Sequence, residues 1–65
     1  MKRYTIAFMS MSTGMPLEYG HTDSPADALK SGRNADKEGL RNVKIIDMTT
    51  REALDIKAFA AKHRL

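Results

Sequence analysis

The residues of this chain with the most direct chemistry are two histidines, His21 and His63, and three carboxylates close in sequence, Asp47, Glu52 and Asp55. A histidine beside a carboxylate can move a proton near neutral pH, and paired carboxylates can divide acid and base work. A metal would need three or four converging donors. Neither histidine has a helical i, i+4 partner of that kind, and the chain has no cysteine. His63 falls on the apolar edge of a helix expected at the end of the sequence, where an imidazole complements the negative end of the helix dipole. Asp47 precedes a polar turn and Asp55 precedes a helix, which are ordinary places for capping carboxylates. Ser10, Ser12 and Thr13 precede Gly14, but they match neither a nucleophile elbow nor a phosphate-binding loop. These residues predict no catalytic set, no metal and no cofactor.

Binding chemistry is better represented. Lys30, Arg33 and Lys37 recur at i, i+3 and i+7, so they share one side of a helix, and Arg41 follows just beyond it. A phosphate backbone could meet such a stripe. A solvated helix face is the competing reading, with Asp36 and Glu38 diluting the charge. Stacking on single-stranded bases has little support, because Tyr4, Phe8, Tyr19 and Phe59 are the only aromatics besides histidine. The five methionines include Met9 and Met48, expected in the core, and Met11 and Met15, expected at a hairpin tip. Methionine fills irregular cores and also forms adaptable contact surfaces, so Met11 and Met15 are candidate partner contacts.

The elements that must position these residues follow from periodicity. Residues 2–11 predict a strand with Tyr4, Ile6 and Phe8 on one face. A turn around Gly14 and Pro16 leads to a second strand, in which Leu17, Tyr19 and His21 alternate with Glu18, Gly20 and Thr22. Pro16 and Gly20 weaken its ladder and predict an edge strand. Ser24-Pro25-Ala26-Asp27 is a helix start, with Ser24 as cap, proline in the first turn and an acid against the dipole. The helix is expected over residues 25–38, ended by Gly39 with Leu40 folding back. Ala28, Leu29, Gly32 and Ala35 form its small-residue stripe. Residues 43–49 predict a central strand, apolar on both faces. A turn over residues 49–52, a short strand at Ala53 and Leu54, and an Asp55-capped helix over residues 56–63 close the chain. Ile56, Phe59, Ala60 and His63 give that helix its apolar face. The expected fold is α+β, in the order β-β-α-β-(β)-α, with a small antiparallel or mixed sheet and the helices packed on one face.

Composition bounds the rest. The 65 residues allow one domain, and a chain this short buries only roughly 60% of its unfolded surface. The absence of cysteine excludes a disulfide framework and fits a cytoplasmic setting. No apolar run approaches the ~20 residues of a membrane span, so no membrane partner is expected. Lys2 and Arg3 before an apolar stretch begin like a signal peptide, but Ser10, Ser12 and Thr13 break that stretch, and the segment is expected to belong to the fold. The net charge of +3 permits weak attraction to polyanions without naming one.

The segment 43–63 resembles the ends of small uncharacterised proteins of bacteria and their phages. In those proteins a strand, a polar turn, an aspartate and an Ala-Phe-Ala-Ala helix close the chain. The motif here is Val43-Lys44-Ile45-Ile46-Asp47, then Asp55, then Ala58-Phe59-Ala60-Ala61, about a third of the sequence. In size the chain is also similar to phage accessory proteins, anti-CRISPR inhibitors among them. The motif is a structural one and carries over no functional residue. The small size, the lack of a catalytic set and of a cofactor motif, the edge strand and the methionine-bearing hairpin tip lead to the expectation of a non-enzymatic protein that binds a larger host or phage protein. Nucleic-acid binding through the basic stripe is the alternative expectation, and a homodimer through the edge strand is a further one.

Overall fold

The computed structural model describes residues 2–65. The elements run β1 (Tyr4–Met9), β2 (Pro16–Thr22), α1 (Pro25–Lys37), β3 (Arg41–Asp47), β4 (Glu52–Asp55) and α2 (Ile56–His63). The four strands form one sheet in the order β2-β1-β3-β4, and each neighbouring pair is antiparallel. The α+β class and the strand-helix order expected from the sequence are the ones observed. The short fourth strand is present, and the sheet is antiparallel rather than mixed.

β1 and β3 are the central strands, and β1 is buried on both faces. Tyr4 and Ile6 of β1 join Val43 and Ile45 of β3 beneath Ala28, Leu29 and Ala35 of α1 and Phe59 of α2. Thr5 and Ala7, which alternate with them on β1, are also buried, although no helix belongs to their side. The helices therefore cover one face of the sheet and leave the other open.

α1 is seated closely on the sheet. A Cβ placed on Gly32 would lie 3.3 Å from Ile45 Cδ1 and 3.4 Å from Ile56 Cγ1. Ser24 caps the helix by accepting from the Asp27 amide. At the other end Gly39, at φ +88°, lets its amide reach the Asp36 carbonyl while Leu40 N–H reaches Ala35, the paired bonds of a Schellman closure.

Several element boundaries differ from the sequence expectation. β1 ends at Met9 because Ser10 turns the chain: its Oγ accepts from the amides of Ser12 and Thr13. β3 begins earlier, at Arg41, and ends at Asp47. There the Asp47 carboxylate accepts from Thr49 N–H at 2.9 Å and its carbonyl accepts from Arg51 N–H. Thr49 consequently lies in the turn. Met48, expected in the core, is 46% exposed at the margin of the open face, because it follows the last strand residue.

Candidate functional site

The basic residues singled out by their spacing are all exposed. Lys30, Arg33 and Lys37 stand opposite the buried Ala28, Leu29, Gly32 and Ala35 of α1, and Arg41 opens β3. None of the four forms an ion pair among the described residues. Arg33 also borders a groove of about 620 Å³ between the two helices, with Asp36, Asn42, Asp55 and Lys57 around its rim and Val43, Ile56 and Ala60 as apolar lining. Opposite charges alternate there, so the groove presents no single sign to a ligand.

The β1–β2 hairpin tip carries Met11 and Met15, 76% and 62% exposed. The loop between them is tied down. Ser10 N–H donates to the Met15 carbonyl and Gly14 N–H to the Ser10 carbonyl, each at 2.9 Å. Met15 N–H reaches Thr13 Oγ1 at 3.2 Å. Gly14 sits at φ +71°, which the turn requires. Two methionines are thus displayed on a hydrogen-bonded scaffold.

β2 is an edge strand, as its proline and glycine predict, and β4 forms the other edge. The register of β2 departs from strict alternation. Ile6 lies opposite Gly20 but Ala7 lies opposite Glu18, so Tyr19 is an extra, bulged residue. Tyr19 packs edge-on against Phe8 at 6.5 Å and donates its hydroxyl to the Glu38 carboxylate, which raises its pKa. The bulge also brings Glu18 and His21 together, where simple alternation predicts opposite faces. His21 Nε2 lies 3.1 Å from Glu18, and its Nδ1 lies 3.1 Å from Thr5 Oγ1.

The groups with proton-transfer chemistry are kept apart. His63 lies tilted against Phe59, ring centres 4.3 Å apart, and stands edge-on to Tyr4 at 6.1 Å. Asp55 caps α2 by accepting from Ala58 N–H at 2.7 Å. Asp47 is held by Arg3, and Glu52 pairs with Lys62. Neither the interhelical groove nor the smaller depression on the open sheet face joins a histidine to Asp47 or Asp55. No cluster of three metal-ligating side chains occurs among the described residues, and no described helix is long and apolar enough to cross a membrane.

Comparison with known proteins finds no matching family model, no matching curated protein and no matching solved structure. Two features of the surface escape sequence reasoning. The first is the open sheet face, a depression of about 250 Å³ lined by Thr5, Ala7, Leu17, Glu18, Ile46 and Met48 with Pro16. The second is the Glu18–His21 pairing across the bulge. Alternation on β1 and β3 indicates the first, whereas no residue type announces the second.

Proposed function

We propose that this chain is a non-enzymatic binding protein that acts by contact with a larger protein, in the manner of a phage or mobile-element accessory factor. The observation that carries this reading is the display of Met11 and Met15 on an ordered hairpin tip next to a free strand edge. Exposed methionine adapts to a partner's surface, and an edge strand can extend a partner's sheet. The test is capture by the immobilised protein, comparing the parent with a Met11→Asp/Met15→Asp variant. A stoichiometric protein held by the parent and released by the variant supports the reading. Identical captured sets, or none, overturn it.

A second reading is supported by the four cations Lys30, Arg33, Lys37 and Arg41, exposed and without ion-pair partners among the described residues. In this reading they bind a phosphate backbone. Four such contacts on duplex DNA give log K a slope of roughly −3 to −4 against log salt. Arg33→Glu with Lys37→Glu then weakens binding by similar factors across sequences. Probes, single- or double-stranded, that fail to shift at low salt remove this reading.

A further inference from the structure

We propose that the open face of the sheet docks a second copy of the chain, sheet against sheet, in a two-fold dimer. The register supplies the argument. Ala7 lies opposite Glu18 on β2 and opposite Lys44 on β3, so Glu18, Ala7 and Lys44 form one row across the open face. The next row is His21, Thr5, Ile46 and Ala53. Acid and base therefore stand at equal distances on either side of β1, with small or apolar residues between them. A half turn about an axis along β1, between two facing sheets, lays β2 of each copy over β3 of the other. Glu18 of each copy then faces Lys44 of the other, twice by symmetry, and the axis passes over Ala7 at the centre.

Several features suit this occupant. Facing sheets pack about 10 Å apart with their strands within about 30° of parallel, a gap that Glu and Lys side chains span. Thr5 and Ala7 are small and buried, so the middle of the face is low and the longer side chains around it can meet across the gap. Lys44 is exposed and has no ion partner among the described residues. Asp55, opposite it on β4, is already engaged by the Ala58 amide. Glu18 owes its place on this face to the Tyr19 bulge, and it is mostly exposed despite its contact with His21. Such a dimer differs from one made by pairing β2 edges, in which Glu18 would not meet Lys44. The footprint, the three strands β2, β1 and β3 by about six residues, is roughly 15 Å by 20 Å, with β4 of each copy beyond the overlap. That is a small interface, so dimerisation is reversible and concentration-dependent.

Sedimentation of the full chain at low salt, from about 1 μM to about 1 mM, tests the proposal over the range of weak interfaces. The parent is expected to pass from monomer to dimer. Glu18→Lys and Lys44→Glu each place like charges face to face twice, and each weakens the dimer by roughly tenfold or more. The combined variant Glu18→Lys/Lys44→Glu restores the pairs with reversed sign and recovers the parent's dimer to within about threefold, since the same contacts recur. Both positions are exposed, and circular dichroism verifies that each variant is folded. A chain that stays monomeric throughout overturns the proposal. So does a dimer indifferent to the single changes, which edge pairing would give, or a double variant that fails to recover.

Discussion

Arg3 grips Asp47 through both carboxylate oxygens, with Nε 3.2 Å from Oδ1 and Nη2 3.0 Å from Oδ2. The two residues are 44 apart in sequence and join the start of β1 to the end of β3. The guanidinium also lies over the Tyr4 ring, 5.3 Å from its centre. Asp47 is only 7% exposed, and the same carboxylate accepts from Thr49 N–H in the turn that follows. A fork of this geometry fixes direction as well as attraction.

This pair makes stability depend on acid. The hydrogen bond from Arg3, opposed by burial and assisted by the amides of Thr49 and Thr50, lowers the Asp47 pKa from 3.8 to about 2. The folded carboxyl therefore holds its proton less tightly than the unfolded one. Its stabilisation is complete above the unfolded value and disappears as pH falls through the folded value, so the window runs from about 4 to about 2. In urea titrations at several pH values, the gap in midpoint between the parent and Asp47→Asn should be widest near neutrality and shrink through that window. A constant gap would show that the Arg3 pairing does not set the pKa.

Much of the fold is legible because its signals are local. Ser24-Pro25-Ala26-Asp27 starts a helix by capping chemistry, Gly39 ends it, and Tyr4, Ile6 and Phe8 mark one face of β1. The Arg3–Asp47 fork is invisible to such reasoning because 44 residues separate its partners. The positive φ angles at Asn42, Arg51 and Arg64 are hidden for a different reason, since none of these positions carries glycine. The bulge at Tyr19 is masked by a sequence that alternates plausibly without it. For the surface, helical projection alone indicates the exposure of Lys30, Arg33 and Lys37. It cannot tell what meets them, because a charged face serves water and a partner equally well.

The two helix caps should differ in weight. Asp55 accepts from Ala58 N–H at 2.7 Å, whereas Ser24 Oγ stands 3.4 Å from Asp27 N. Asp55→Ala should cost about 1–2 kcal/mol and Ser24→Ala about 0.5 kcal/mol, the two ends of the usual range. Chemical denaturation of both variants measures the difference. Equal losses would mean that the shorter contact adds nothing.

Gly32 should tolerate one carbon and little more. A methyl there gains up to about 1 kcal/mol of helix propensity, and crowding against Ile45 and Ile56 offsets it. Gly32→Ala should thus change stability by less than about 1 kcal/mol, while Gly32→Leu overpacks the site and costs about 2–3 kcal/mol. If the leucine variant melts with the alanine variant, α1 is not seated on β3 as described.

Phe59 should be the side chain on which the C-terminal helix depends. α2 has eight residues, too few to persist alone in water, so packing must hold it. Phe59 is its one buried residue, 2% exposed, and meets the Tyr4 ring edge-on at 5.5 Å. Truncating a buried phenylalanine costs about 3–5 kcal/mol. A domain of this size has about that much stability in all. Phe59→Ala is therefore expected to be largely unfolded, while Lys57→Ala, on the exposed side, changes stability by less than about 0.5 kcal/mol. A milder series isolates the aromatic contact. Phe59→Leu, Tyr4→Leu and the double variant form a cycle whose coupling should be about 0.5–1.5 kcal/mol if the edge-on geometry contributes beyond area. A Phe59→Ala protein as stable as the parent would mean that α2 does not dock. A coupling of zero would mean that the rings fill space without recognising one another.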